Sequence, residues 1–497
     1  MHKYDVVIIG GGLGGLECGL ILSKEGMSVC VLEQHHKMGG NLQCFSRDGV
    51  VFDTGMHYFG SMGDGEYLHK YLKYFGIADK LKLRKLDIDG FDTISFEGDD
   101  QEYGLSQGYD KFAGGLLQHF PEEKAAIKQY IAGIKAVTDD FPMYKPGGVE
   151  SFHIPVSTLE KCAFGFLDAL SQNERLKNVL AGGISLYPGH AKSTPLYVHA
   201  CMRDSLISSC WRPVDGSQQI ADRLAEGIES FGGSVLPSHR VKEIIVEQQQ
   251  VEAVMLENGE RISGNHFISN VHPVSTFKMI EEGKLRKFYR NRITGLENTW
   301  GAFSLYAVLQ KDAFPYLNKN YFHYQNEGIL NTDYDQESWP NNYYFYTPAS
   351  SSSDKYAESF TIIADMKFEE VSKWQGTQIN QRGEDYKEFK AEKTERLLVA
   401  IEKRFPGIRS KIVKTYSSTP LTFQDYTATH RGSAYGIMKD CNDPIRSIIL
   451  PKTKISNLYF TGQNLNLHGM MGVTAGAVIT CSELLGLKYL TNKIANG

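Results

Sequence analysis

Residues 4–33 read YDVVIIGGGLGGLECGLILSKEGMSVCVLE, and this stretch decides the fold. Tyr4–Ile9 is a short apolar run suited to a buried parallel strand. It stops at Gly10, where Gly10, Gly12 and Gly15 supply the spacing G-x-G-x-x-G. The first glycine permits a tight turn, the second lets the backbone approach a pyrophosphate, and the third lets a helix pack close to the strand. From Leu13 to Lys24 the apolar spacing is helical. The N-terminus of such a helix offers free N–H groups and partial positive charge to an anion. Gly26 ends the helix, and Met27–Leu32 predicts a second strand with Glu33 at its end. A carboxylate there accepts bonds from a ribose 2′-hydroxyl and repels a 2′-phosphate. Strand, turn, helix, strand and acid occur in order, so a dinucleotide site is expected. A glycine-rich turn without a ligand would leave Glu33 a coincidence.

Two further segments bear on which dinucleotide. Residues 34–60 carry the Gly39–Gly40 turn and, after a strand predicted at Val50–Phe52, the loop DTGMHYFG (53–60). Such loops suit a cofactor larger than NAD, whose ribityl chain and ring are threaded through protein; plain surface turns are the alternative. At the other end of the chain, Leu458–Phe460 is strand-like and Thr461–Gly462–Gln463 follows. A glycine-rich turn then leads to a helix predicted to begin near Val473, where Ala475, Gly476 and Ala477 permit close approach. The N-terminus of that helix suits a flavin N1–C2=O edge, where negative charge develops on reduction. An NAD dehydrogenase has no need of so distant a closing element, so FAD is the expected cofactor.

Bulk composition narrows the class. The 497 residues are 41% hydrophobic and 22% charged, with a formal net charge of -5, and basic residues form no stripe. Nucleic-acid binding has no support in that pattern. The eight cysteines form no C-x-x-C pair, and no His/Cys pair has structural-zinc spacing, so no metal is expected. A reducing, cytoplasmic setting is expected. No stretch reaches the roughly 18 apolar residues of a spanning helix.

Between the two glycine-rich ends the rhythm changes. A helix is predicted within 66–84, ending near Gly76; its aromatic and Lys residues would suit a membrane-surface patch, but an ordinary domain helix is favoured. Residues 86–105 predict paired strands, and 109–140, 157–180 and 195–208 predict helices. A cofactor-domain rhythm returns over 213–275. There a helix at Gln218–Phe231 precedes strands at Ser234–Leu236, Val241–Val246, Val251–Leu256 and Arg261–Ser263, with a turn at Asn258–Gly259. Residues 300–310 and 359–366 are β-like, 342–356 (NYYFYTPASSSSDKY) is favoured as a loop over a mobile flap, and 386–404 predicts a solvated cap helix. The expected fold is α/β: a Rossmann-like FAD/NAD(P)-binding domain with an inserted α+β substrate-binding domain. The first would use residues 1–85, 213–290 and 430–497, and the second 86–212 and 291–429.

His57 and His468 are candidate proton donors, because histidine titrates near neutrality and both sit beside glycines. Tyr58 and Tyr426 are comparable candidates. For each, a hydrogen-bonded structural role is the competing account. His35 and His36 are expected to face solvent.

Six segments together carry a resemblance: VVIIGGGLGGL (6–16), VLEQHHKMGG (31–40), FDTGMHYFG (52–60), GSQQIADRLAEGIESFGGSV (216–235), TPLTFQDYTATHRGSAYGI (419–437) and LYFTGQNLNLHGMMGVTAG (458–476). They resemble, in order, the phytoene desaturase-like flavoproteins, in the branch of carotenoid isomerase and retinol saturase. The resemblance implies that Gly10, Gly12, Leu13, Gly14 and Gly15 hold the FAD diphosphate and that Glu33 binds the ribose. It implies that Gly40 and Asn41 lie beneath the cofactor and that the backbone of Val241 holds the adenine. It places Gly462 and Gln463 by the ribityl chain, and Met471, Gly472 and Val473 at the flavin-proximal turn. Two positions depart from the family pattern. Asn41 stands where many relatives have Arg, which weakens a charge-based grip on the pyrophosphate, and Gln463 stands where an acid is common.

The family's reactions imply an apolar polyene or isoprenoid substrate. They further imply reduction or oxidation of a carbon–carbon bond through flavin N5. A cis–trans isomerase using reduced flavin, an amine-oxidase-like flavin oxidase and a non-catalytic escort protein are the alternatives. There is no second strand–GxGxxG–helix unit, so NAD(P)H docking over the flavin or a separate redox partner is implied as electron source. Peripheral contact with a membrane is implied as well.

Overall fold

Lys3–Ile9 forms the strand around which the first sheet is built. It pairs in parallel with Val29–Leu32 on one side and Arg261–Ser269 on the other. Ser234–Leu236 extends the sheet beyond Val29–Leu32, again in parallel. The long strand Arg261–Ser269 has two partners on its far side. Its first half pairs antiparallel with Gln250–Leu256, which in turn pairs with Val241–Glu247, and its last three residues pair in parallel with Leu458–Phe460. Val6–Ile9 and Val29–Leu32 are buried on both faces, which explains why each is an unbroken apolar run rather than an alternating one. The helix Leu13–Lys24 packs against Gln218–Ser230 and Gly469–Leu485. This is the Rossmann-like unit, and the carboxyl ends of its parallel strands, at Ile9, Leu32, Ser269 and Phe460, share one edge. Ligands of open α/β sheets bind outside that edge.

A second, mostly antiparallel sheet runs in the order Ile412–Ser418, Gly301–Leu309, Ser359–Met366, Asn342–Tyr346, Asn320–Tyr324, Asp92–Phe96, Tyr103–Leu105. Side chains alternate between its faces. Phe303, Leu305, Phe345, Phe360 and Ile362 point to a core closed by Leu397 and Ile401 of the helix Glu384–Arg404. The residues between them, among them Ser304, Phe322, Tyr344, Ile363 and Asp365, face the first sheet across a cavity. The structure describes every residue except 1–2, 145, 148, 188–189, 326–327, 330–335 and 497, and it is a computed structural model.

Several expectations are met closely. The first helix, the hairpin across Asn258–Gly259 and the strand pair at 92–105 occur as predicted. The helix Tyr67–Phe75 ends at Gly76 in the left-handed conformation (φ 75°), and it turns Leu68, Tyr71, Leu72, Tyr74 and Phe75 inward. Its aromatics are core side chains of a domain helix.

Three expectations are corrected. Asn342–Tyr346 is a buried interior strand and not the start of a loop, because the alternating aromatics NYYFY fill both faces of the sheet; only the serine-rich continuation is irregular. The helix Glu384–Arg404 is not fully solvated. It buries Tyr386, Leu397 and Ile401, and Lys393 makes a buried 2.6 Å ion pair with Glu370. The C-terminal helix begins at Gly469, a turn earlier than Val473, because Gly472 and the two methionines continue the helix rather than delay it. Among the described residues, no helix is long and apolar enough to cross a membrane.

Candidate functional site

A cavity of about 680 Å³ lies between the carboxyl edge of the first sheet and the inward face of the second. That volume is within the usual range for a small-molecule or cofactor site. Its first end is made of backbone. Gly10 turns at φ 100°, and Gly12 caps the helix Leu13–Lys24 in extended conformation with no side chain bonded to the first-turn N–H groups. A Cβ on Gly14 would come within 2.9 Å of Asn270 Oδ1 and 3.0 Å of Gly462 Cα. The first and last glycine segments therefore meet, with the Asn270 side chain wedged between them. Asn270 Nδ2 also donates to the Gly10 carbonyl at 3.3 Å. The Gly39 N–H donates to the Gly11 carbonyl at 2.7 Å, which ties the second glycine turn to the first.

Glu33, 8% exposed, is fixed at the end of its strand. Its Oε2 accepts from the Gly11 N–H and its Oε1 from the His35 N–H, both at 2.8 Å. Burial pushes its pKa up, against these backbone bonds. A carboxylate has about four acceptor sites, so the two bonds leave room for ribose hydroxyls. Asn41 Oδ1 is buried on the cavity wall with no hydrogen-bond partner among the described residues. An orphaned acceptor beside an open glycine cradle and an uncapped helix N-terminus fits a phosphate-and-sugar ligand of the FAD or NAD(P) kind.

The middle of the cavity is closed by the loop 462–468 and the helix Gly469–Leu485, whose first turn (Met470, Met471, Gly472) lines the wall. The loop is held from behind. Lys439 Nζ, buried, donates to the carbonyls of Leu465 (2.6 Å), Asn464 (2.9 Å) and Ser447 (3.1 Å). Burial without a counter-charge pulls this amine down to about 7. His468 caps the helix in extended conformation without a side-chain bond to it, and its Nε2 lies 3.3 Å from the Leu186 carbonyl, which requires the proton on Nε2. Its ring packs on Tyr435, centroids 4.6 Å apart, and burial lowers its pKa to about 4.

The other end is made of side chains. His57 is stacked on Tyr346 (4.6 Å, 21°) and lies against Tyr344 (4.8 Å) and Tyr58 (5.6 Å). Burial first, and then the Arg212 guanidinium, lower its pKa to about 3, so it is neutral at physiological pH. Tyr58 donates to Asp92 Oδ2 at 3.3 Å, and Asn320 Nδ2 donates to Asp92 Oδ1 at 2.8 Å. Asn320 Oδ1 accepts from Tyr344 at 3.0 Å and from Arg212. Arg203 Nη1 stands 3.9 Å from Asp92. Both arginines and Asp92 are at most 1% exposed, and burial raises Asp92 to about 6 despite them. The network holds the tyrosines of the wall in place, and Phe322, Ile363, Leu206, Met202 and Leu467 complete an apolar lining.

Of the residues singled out in the sequence, Gly10, Gly12, Leu13, Gly14, Glu33, Gly40, Asn41, Val241, Gly462, Gln463, Met471, Gly472 and Val473 all line this cavity. Gly15 stands behind it: a Cβ there would sit 2.1 Å from the Gly10 carbonyl oxygen, so its service is to helix–strand packing. Met471–Val473 belong to the first turns of the helix, not to a turn before it. His57, Tyr58 and His468 gather at the apolar half. Tyr426 does not: it is 42% exposed at the nucleotide end, its ring edge-on to His35 at 5.7 Å. His36 is exposed and His35 half-buried. Among the described residues no three His, Cys, Asp or Glu are placed to hold a metal.

Comparison with known proteins follows the same lines. Residues 8–75 match the family model of an NAD(P)-binding Rossmann-like domain. The chain is 27% identical to the all-trans-retinol 13,14-reductase of Rattus norvegicus over 97% of its own length and 86% of that protein. It is 26% identical to the chloroplastic prolycopene isomerase of Daucus carota, covering 93% of this chain and 77% of that one. An oxidoreductase from Methanosarcina mazei shares the fold with a TM-score of 0.65 at 16% identity, over 95% of this chain and 98% of the other. The chain is a family-level match to the phytoene desaturase, retinol saturase and carotenoid isomerase-like FAD oxidoreductases.

Several residues of this site carry little sequence signal. Arg203, Arg212, Asp92 and Asn320 are scattered over more than 200 positions and meet only in the fold. Asn270 was legible in principle, as the residue following a strand end at the ligand-binding edge. Asp365 was legible too, since Thr361, Ile363 and Asp365 share one face of a predicted strand and a carboxyl there must meet something polar.

Proposed function

We propose that this chain is an FAD-dependent oxidoreductase that adds hydrogen across a carbon–carbon double bond of an apolar polyene. The observation that carries the reading is the single cavity with two unlike ends. A glycine-and-backbone cradle with a ribose acid runs into an aromatic, mostly apolar chamber. The retinol reductases and prolycopene isomerases to which the chain is similar are named for action on polyenes, which supports the same substrate class.

FAD would be held by the N–H groups of the first helix turn at Gly12–Gly15, by Glu33, by the Gly39–Asn41 turn, by the backbone near Val241, and by the 462–473 segment. Bound there, it would supply a hydride and accept one in the reverse direction. The chain's own residues do the remainder. The tyrosines and Phe322 exclude water and orient a flat conjugated chain, and the N-terminus of the helix Gly469–Leu485 favours negative charge beside it. Electrons would reach the site from NAD(P)H or from a separate redox protein.

The test is direct. Purified protein is denatured mildly and its supernatant scanned for flavin; the apoprotein is then titrated with FAD. Reduced holoprotein is mixed anaerobically with all-trans-retinol, and flavin reoxidation and product mass are followed together. Flavin uptake, reoxidation and a product two hydrogens heavier are expected. No uptake of FAD sinks the reading outright. A geometric change at constant mass, with flavin still reduced, replaces reduction by isomerisation.

A further inference from the structure

Hydrogenation of a C=C bond needs a hydride on one carbon and a proton on the other, and the proton must come from a group at the apolar end. The two histidines that face this end are both poorly suited. His57 is neutral in its tyrosine stack, and the one N–H of neutral His468 is engaged by the Leu186 carbonyl. Tyr58 is turned away to Asp92. Glu33 and Glu257 also line the cavity, but at the nucleotide end: Glu33 closes the strand Val29–Leu32, and Glu257 pairs with Arg240.

Asp365 is differently placed. It lies near the end of the strand Ser359–Met366, on the face turned to the cavity, opposite Ala302 and in line with Ile363, and both of these line the wall too. The Asn342 side chain donates to its carboxyl, and no cation pairs with it among the described residues. The phenols of Tyr324 and Tyr435 lie close enough to feel its charge. Tyr435 packs on His468, which brings this carboxyl to the side of the chamber bounded by the C-terminal helix.

We infer that Asp365 is the catalytic acid of this site, a neutral carboxyl that delivers a proton to one carbon of the substrate double bond and is then reprotonated by water. The inference rests on the reductive reading above. In the balanced step, the C=C π bond, the carboxyl O–H bond and the hydride donor's own bond to hydrogen break, two C–H bonds form, and the donor is oxidised by two electrons. One hydrogen arrives as H⁺ from Asp365, and the other as hydride from a two-electron donor, the reduced flavin of the proposed function. The carboxylate left behind takes one proton from water. Burial supports the assignment by raising this carboxyl to about 7, which keeps much of it protonated at neutral pH.

Asp365→Asn preserves shape and removes the proton, and Asp365→Glu restores a carboxyl. Two readouts are needed. In the first, the infrared C=O band of protonated carboxyl groups is recorded at pH 6 for apoprotein, native and Asp365→Asn. A native-minus-variant band is expected, and its absence overturns the inference whatever the substrate proves to be. In the second, native and variant holoproteins, each shown to take up FAD and to quench retinol fluorescence alike, are reduced and mixed with all-trans-retinol. Flavin reoxidation in Asp365→Asn should fall by about 100-fold or more, the lower bound for a lost general acid, with partial recovery in Asp365→Glu. Reoxidation within about 3-fold of native overturns the inference while the reductive reading stands. If the native protein takes up FAD but leaves retinol unchanged, the substrate reading falls, and the infrared band alone decides for or against Asp365.

Discussion

At the nucleotide end of the cavity the wall is main chain: the turns at Gly10–Gly15, Gly39–Gly40 and Gly462 lie so close that a Cβ on Gly14 or Gly40 would stand only 3.0 Å from Gly462 Cα or 3.3 Å from Gly12 Cα. At the apolar end the wall is side chain: tyrosines such as Tyr58 and Tyr344, held by Asp92, Asn320 and two buried arginines. The first arrangement depends on local sequence, because a glycine turn and a helix N-terminus are made by consecutive residues. The second depends on the tertiary fold, because Asp92, Arg212, Asn320 and Tyr344 lie on separate elements. A molecule gripped by backbone can be recognised from a short motif, whereas one shaped by packed rings cannot. The two ends should therefore fail differently when altered.

The largest effect is expected at the apolar end. Arg212 is 1% exposed and donates to the carbonyls of Thr347 (2.7 Å) and Leu317 (3.2 Å), to the Tyr316 hydroxyl (3.3 Å) and to Asn320. Arg212→Met fills much of the volume but takes one donor away from each of four acceptors and leaves Asp92 with less compensation. Breaking a buried charged network costs about 3–5 kcal/mol. A fall of that size is expected in unfolding free energy from urea titration of the apoprotein. A loss under about 1 kcal/mol would mean that the tyrosine wall is held by packing alone.

The nucleotide end should lose ligand rather than fold. In Gly14→Val the new side chain meets Asn270 and the backbone of Gly462 at once, so the first and last glycine segments must part. FAD affinity should weaken by about 100-fold, roughly 2.8 kcal/mol at 1.4 kcal/mol per factor of ten. Isothermal titration of apoprotein with FAD measures it, and unchanged affinity would remove Gly14 and Gly462 from the cofactor site.

This division explains how far the sequence could be read. The helix Leu13–Lys24 and the acid at Glu33 follow from strand and turn chemistry within 30 residues, and they are found where they were expected. The strand Asn342–Tyr346 was obscured because its aromatics run straight into a serine-rich loop. Nothing local says that Tyr344 pairs with Phe322 on one side and Ile363 on the other. Tyr426 looked equivalent to Tyr58 in sequence. Only the fold puts one phenol in a buried network and the other on an exposed mouth.

The smallest effect tests the electrostatic state of the apolar end. His57 has a folded pKa near 3, against about 6.5 for an unfolded histidine. A depressed histidine adds stability that is fully present above about pH 6.5 and is lost as pH falls towards 3, because the unfolded chain takes up the proton first. Other groups titrate in the same window, and the raised Asp92 and Asp365 act in the opposite sense, so the absolute pH profile is a sum. The difference between native and His57→Gln isolates the one ring. Between pH 6 and pH 4 the native protein should lose stability more steeply than the variant by one proton's worth, about 1.4 kcal/mol per pH unit. Urea unfolding at a series of pH values gives both curves. Parallel acid limbs would mean that His57 is solvated and protonated in the folded state, and the tyrosine stack would then not be the dry wall that the apolar end requires.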